Sequence, residues 1–327
     1  MHTENNSITE INANKKRRPI LRQLFKLGKY ILVIVVLNLC GITHILGQTQ
    51  QFSYTQYMDN LTPLNPAWSL MDQAGSLSLL GRKEWVGVNG APTTFLLNGN
   101  VPLNNINAST GLIVMTDQFA IEHQTEVNAY FAKSIQVSPE GYLAVSLNAG
   151  LRNYVANYSQ LDPTDPQFSN DIRQTRPNVG FGVLYYTDKY YIGLSVPELT
   201  VTSLGTASVQ NRFNFVNHYY MAAALLTELA DDIMFKPTTL LSYASGTPFT
   251  ANISGTFYLK ETLGLGVNYR TDKQAAAIIS VNVDVFHVGY SYQFGTSGNN
   301  LGGVSIPTHE VNLSYRFGRR SVIKRFL

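Results

Sequence analysis

Residues His309 to Phe317 read HEVNLSYRF. Val311, Leu313, Tyr315 and Phe317 fall on one side of an extended chain, and Asn312, Ser314 and Arg316 on the other. Successive side chains of a strand point to opposite faces, so the stretch predicts a strand with one apolar and one polar face. The habit recurs upstream. GVNYRTDKQAAAIISVNVDVFHVGYSYQF, residues 266–294, alternates on both sides of a Thr271-Asp272-Lys273 turn. NVGFGVLYYTDKYYIGLSV, residues 178–196, is a second hairpin, turning at Thr187-Asp188-Lys189. About fourteen such runs can be traced, near 76–86, 93–101, 108–117, 122–136, 141–153, 178–187, 189–197, 217–228, 233–244, 248–260, 262–271, 273–283, 285–294 and 309–317.

The composition narrows what these strands build. Only 14% of the 327 residues are charged, against about a quarter in average soluble domains. After residue 48 no run is apolar for the ~20 residues that a membrane helix needs. Low charge, 19 Tyr, 16 Phe and 25 Gly without a long apolar run fit an all-β chain. The single cysteine, Cys40, cannot form an intrachain disulfide.

The N-terminus reads as an export signal. Cations at Lys15 to Arg18, Arg22, Lys26 and Lys29 precede the apolar stretch YILVIVVLNLC, Tyr30 to Cys40. That length suits a signal-peptide core and is short for a membrane span. Ile45-Leu46-Gly47 offers a cleavage point before Gln48, with an uncleaved anchor as the alternative. Leu39 stands where a lipoprotein signal wants a small residue before its cysteine. Residues 1–47 carry seven Lys/Arg against two Asp/Glu, so of the whole-chain charge of +3 they hold +5, leaving about −2. The basic pI therefore gives no argument for nucleic acid.

The expected architecture is a transmembrane antiparallel β-barrel of about fourteen strands. An even strand number, short turns alternating with longer loops and aromatics at strand ends are its marks. Long connections are expected near 154–177, 198–216 and 295–308. The division is a signal peptide over 1–47, a periplasmic or lumenal lead-in over 48–75, the barrel over 76–317 and a basic tail over 318–327, GRRSVIKRFL. A propeller would need a blade-like repeat, and a soluble sandwich of this length would need two domains with a linker. Neither is present in the sequence.

Nothing in the chain assembles a catalytic or metal-binding constellation. His123, His218, His287 and His309 are scattered without metal-ligand spacing. GLGV at Gly264–Val267 lacks the helix that a phosphate loop needs. Asp231 and Asp232 are adjacent, so on a strand they point apart. Ser280 and His287 could lie on neighbouring strands, as could many pairs in so serine-rich a chain. No enzyme activity, cofactor or metal is expected.

RKEWVGVNGAPTT, Arg82 to Thr94, lies between two alternating runs and reads as the first hairpin turn. Gly87 and Gly90 permit turn angles, Asn89-Gly90 is a strong turn pair, and Pro92 removes a donor before the next strand. Trp85 suits a membrane interface. With QFSYTQYMDNLTPLNPAW (Gln51 to Trp68), PTTLLSYASGTPFTANISGTFYLKETLGLGVNYR (Pro237 to Arg270), GYSYQF and THEVNLSYRF, this stretch resembles the PorP/SprF family of outer-membrane proteins of type IX secretion and gliding motility. The long basic n-region and the basic tail depart from the usual pattern. The resemblance implies a non-enzymatic outer-membrane barrel of a Gram-negative cell. Its partners would be membrane lipid and a secreted adhesin or other type IX cargo, or a periplasmic peptidoglycan-binding lipoprotein, and no nucleic acid. Gln51, Phe52, Tyr54, Tyr57 and the Asn65-Pro66-Ala67 motif precede the first strand. They should face the periplasm or enter the lumen, as a partner site, a plug or a lead-in packed on the barrel wall.

Two functions follow. A scaffold or cargo partner needs loops and lumen surfaces fitted to a protein. A passive channel or small-solute transporter needs an open lumen lined by charge, and the scarcity of charge argues against it.

Overall fold

A computed structural model describes residues 54–161, 171–200, 216–295 and 307–318. They form a closed antiparallel barrel of fourteen strands, one of them broken in two. In chain order the strands are β1 (Gly75–Lys83), β2 (Thr93–Leu103), β3 (Ala108–Phe119), β4 (Glu122–Gln136), β5 (Tyr142–Ala156), β6 (Ile172–Tyr186), β7 (Tyr190–Thr200) and β8 (His218–Leu225). After them come β9 (Thr227–Ala230), β10 (Ile233–Ala244), β11 (Thr250–Leu259), β12 (Leu263–Arg270), β13 (Gln274–Val283), β14 (Phe286–Gly295) and β15 (Thr308–Phe317). Each strand pairs with its neighbours in sequence, and β15 closes on β1, with Gly75 opposite Phe317 and Arg82 opposite Glu310. β8 and β9 both pair with β10 and make one wall strand, interrupted at Leu226 beside Pro237, which carries no N–H.

Alternation sets what each face meets. On β15, Glu310, Asn312 and Ser314 are buried inside while Val311, Leu313 and Tyr315 are exposed outside. Leu79, Phe95, Leu147, Phe181, Ile253 and Ile279 continue the exposed apolar belt around the barrel. Outward aromatic pairs mark its two edges. Tyr219 and Tyr243 (6.2 Å) and Tyr292 and His309 (5.3 Å) lie toward the longer connections. Phe235 and Phe257 (4.6 Å) and Phe286 and Tyr315 (5.3 Å) lie toward the tight turns. An apolar band between aromatic girdles is the lipid-facing surface of an outer-membrane barrel.

The two ends differ. One, the loop end, carries the hairpin tip at 84–92 and the connections 157–171, 201–217 and 296–307; the other, the turn end, carries short turns such as 187–189, 231–232 and 284–285. The connection expected over 154–177 is shorter than the sequence suggests, because β5 runs to Ala156 and β6 already starts at Ile172. Ile172 to Pro177, IRQTRP, lacks apolar alternation. β4, β5 and β6 have 15 residues each, more than the ~9–11 that cross a bilayer. Their loop ends therefore stand clear of lipid, where no apolar pattern is selected. The expected signal peptide (1–47) and the tail from Arg319 lie outside the described residues.

Leu313, 44% exposed in the middle of β15, tests the lipid face. Leu313→Arg is expected to destabilise the barrel by about 2–4 kcal/mol, as arginine does near the bilayer midplane. Urea unfolding in lipid vesicles measures it. A cost indistinguishable from that of Leu313→Val would mean that this face does not meet hydrocarbon.

Candidate functional site in the barrel lumen

The core of the protein lies inside the barrel. Tyr54, Tyr57, Met58, Leu61, Leu64, Leu70 and Met71 pack against inward-facing Leu80, Leu96, Ile113, Leu184, Leu240 and Ile278. Tyr57, Met58 and Leu61 are fully buried. Residues 54–74 thus occupy the lumen, and polar wall side chains hold them along their length.

The strongest hold is at Glu310. Its carboxylate accepts the backbone N–H groups of Thr55 (2.9 Å) and Gln56 (2.8 Å) and pairs with Arg82 Nη1 (3.2 Å). Arg82 also donates to Glu84 (3.1 Å), and Thr55 Oγ1 donates to Gln293 (3.0 Å). Removing one partner of a buried pair costs about 3–5 kcal/mol, because the other charge is left uncompensated. Farther along, the Tyr57 hydroxyl lies 3.2 Å from that of Ser254, and Lys236 Nζ donates to the Met58 carbonyl (2.6 Å). Tyr258 donates to Asp59 (3.2 Å), and Asn60 pairs with Asn98 through both amides.

Asn65 makes a further clamp, on β6 and β7. Its side-chain oxygen accepts from Ala67 N (3.2 Å) and caps the short 3-10 helix Pro66–Leu70, while Nδ2 reaches the carbonyls of Val183 (3.1 Å) and Leu194 (3.4 Å). Pro66 opens the helix where no N–H is needed. The approach to β6 and β7 depends on Gly182 and Gly193. A Cβ at Gly182 would collide with the Asn65 amide oxygen, and one at Gly193 would come within 3.0 Å of its nitrogen.

Of the residues singled out in the sequence, Tyr54, Tyr57, Asn65, Pro66 and Ala67 are brought together in the lumen. Gln51 and Phe52 lie outside the described residues. The hairpin motif divides. Trp85 packs edge-on against Phe119 (5.9 Å), Gly87 and Gly90 take positive φ (97° and 74°), and Pro92 ends the turn before β2. Arg82 is not part of the turn. It sits inside β1, faces the lumen and belongs to the Glu310 hold. Ser280 and His287 do share the lumen, but His287 Nδ1 bonds Asn282 (2.8 Å) and its Nε2 faces Asp59 (3.6 Å) rather than a serine. Gln293 and Glu310 lie within the stretches GYSYQF and THEVNLSYRF, which mark neither residue as a contact, and Lys236 lies in no motif. Their signal was a charge or amide on the lumen side of an alternating strand.

A second buried network lies near the loop end of β4 to β8. Arg152 bridges Glu126 (3.0 Å) and Glu198, and His218 Nδ1 meets Glu198 (3.0 Å). Asn128 (2.5 Å) and Asn178 (2.7 Å) donate to Glu126. No group of His, Cys, Asp and Glu among the described residues is arranged to hold a metal.

The family profile for the type IX secretion system membrane protein PorP/SprF matches residues 46–315, spanning both the lumenal segment and the barrel. The chain belongs to the PorP/SprF family. It is thus an outer-membrane barrel of type IX secretion. No curated protein matches it. Among solved structures, the TodX deltaS2S3 mutant monoaromatic hydrocarbon channel is similar at TM-score 0.48 and 10% identity, over 84% of this chain and 97% of that one. The CymD monoaromatic hydrocarbon channel is similar at 0.47 and 12%, over 82% and 94%. Omp33 of Acinetobacter baumannii is similar at 0.44 and 6%, over 76% and 99%. They say nothing about what this PorP/SprF protein binds.

The two clamps, at Glu310 and at Asn65, predict matching outcomes. Glu310→Ala should weaken the seating of residues 54–74 by about 3–5 kcal/mol, and Gly182→Val should expel Asn65. In both, limited proteolysis is expected to cut within 54–74 while the barrel keeps its heat-resistant mobility on gels. Wild-type protection in Gly182→Val would show that the Asn65 clamp does not hold the segment.

Proposed function

We propose that this barrel serves type IX secretion and gliding as a non-enzymatic holder of a protein partner, a secreted surface adhesin or other cargo whose export or attachment it supports. The observation that carries the reading is the occupied lumen. A conduit needs a water-filled path, whereas here the space is packed with Tyr54, Tyr57, Met58, Leu61 and Leu64, each at most 2% exposed. With its lumen filled, the barrel offers a partner its end surfaces. In bacterial barrels short turns face the periplasm and longer loops the medium. That orientation gives the cargo the connections 84–92, 157–171, 201–217 and 296–307, and leaves the turn end to a periplasmic component of the machinery. Export by the N-terminal segment 1–47 completes the reading.

Mild-detergent purification from native outer membranes, with mass spectrometry of the co-purifying proteins, tests it. Near-stoichiometric recovery of one large secreted protein is expected. Recovery of peptidoglycan-binding and motor components instead would make the protein a trans-envelope scaffold. Planar bilayers supply the second arm. The intact barrel is expected to show no steady conductance and a variant lacking residues 51–74 to conduct. Steady conductance by the intact barrel, purified alone, would replace this reading with a passive channel.

A further inference from the structure

The outward face of the barrel differs from one side to the other. On β10 to β14 its side chains, from Phe235 to Phe294, are uncharged along the whole of each strand. On β1 to β6 they change in three steps toward the loop end, and the strand register lays the steps out as rows. Leu79, Leu97, Val127 and Leu151 belong to an apolar row. Two residues nearer the loop end, about 7 Å along each strand, Thr116, Thr125, Asn153 and Thr175 follow Phe95 in the next row. Asn153 Nδ2 donates there to Thr175 (2.8 Å). Two residues farther on come Lys83, Thr93, Gln118, His123 and Arg173, with Val155 between the last two. Lys83, Gln118 and Arg173 are exposed, and Lys83 Nζ donates to Thr93 (2.7 Å). Among the described residues no carboxylate faces outward on these six strands. Asp171, two residues before Arg173, accepts the N–H of Ser159 (3.1 Å) in the loop above.

We infer that this wall binds the phosphate-bearing headgroup of a glycolipid in the outer leaflet. The three rows match one amphiphile from tail to head. Acyl chains lie on the apolar row, which continues the exposed apolar belt. Sugar hydroxyls and linking amides meet the row of Thr and Asn, whose groups both give and accept hydrogen bonds. Phosphate meets Lys83 and Arg173, one a compact ammonium and the other a planar fork that fits phosphate oxygens. Lys83 and His123 are three strand spacings apart, and His123 and Arg173 two, about 14 and 10 Å. That spread suits a headgroup with more than one phosphate. A free phosphate would use the top row alone, and a protein contact would need no lipid-facing row directly beneath it. The choice of the outer leaflet rests on the orientation in the reading proposed above, with the loop end at the medium.

Native mass spectrometry of the purified barrel in detergent, titrated with bis-phosphorylated lipid A, tests the site. The wild type is expected to retain the lipid. The double variant Lys83→Gln, Arg173→Gln should bind it about 20-fold more weakly, with the heat-resistant mobility of the barrel unchanged. Lys133 is also exposed on the outer side of β4, but near the turn end, and Lys133→Gln should bind as the wild type does. Dephosphorylated lipid A should bind the wild type as weakly as lipid A binds the double variant. Equal binding of lipid A by wild type and double variant, or an equal loss in Lys133→Gln, would overturn the inference. So would release of a co-purifying secreted protein from the double variant with lipid binding unchanged, since the wall would then be a protein contact. Tighter binding of phosphatidylglycerol than of lipid A, lost in the same double variant, would overturn the outer-leaflet assignment and leave the cargo reading to its own test.

Discussion

The pairing of backbone groups in a medium without water governs this structure. Hydrocarbon offers no partner to a free N–H or C=O, so a spanning sheet must close on itself. β15 meeting β1 satisfies that demand. Closure at fourteen strands creates an interior wider than the wall side chains alone can fill. The chain fills it with its own residues 54–74. The usual arrangement of a globular protein is thereby kept inside the barrel, around Leu61 and Leu80, while a second apolar surface faces lipid.

The wall was legible in the sequence because lipid and lumen impose period two on every crossing strand. Where lipid ends, the pattern ends. The loop-end portions of β5 and β6 look like loop in the sequence because Arg173, Thr175 and Pro177 answer to no hydrocarbon. The lumenal segment was harder. Its motif is visible at Asn65-Pro66-Ala67, but the meaning of that motif lies in partners far along the chain. Asn65 needs Gly182 and Gly193, and Thr55 needs Glu310, 255 residues away. A glycine in an alternating strand, or one carboxylate on its polar face, looks the same whether or not a plug lies against it.

Buried charge in this protein is concentrated rather than scattered. Glu310 and Arg82 hold the segment at β1 and β15, and Arg152 with Glu126 and Glu198 ties β4, β5 and β7 together near the loop end. Apart from Lys236 on the Met58 carbonyl and His287 beside Asp59, the described wall elsewhere presents mainly hydroxyls and amides to the interior, such as Ser78, Asn98, Asn148, Ser254 and Asn312. Neutral groups cost less to bury than ions and can both give and accept hydrogen bonds. They line a packed interior without demanding a countercharge for each residue that enters.

Arg82 and Glu310 are register partners across the seam between first and last strand, and the same carboxylate takes the backbone of Thr55 and Gln56. Until β15 lies alongside β1, Glu310 has no place beside Arg82 and cannot complete that three-way hold. The final zipper of the wall and the upper fastening of its contents are thus one event. An unsealed cylinder is also a loosely stoppered one.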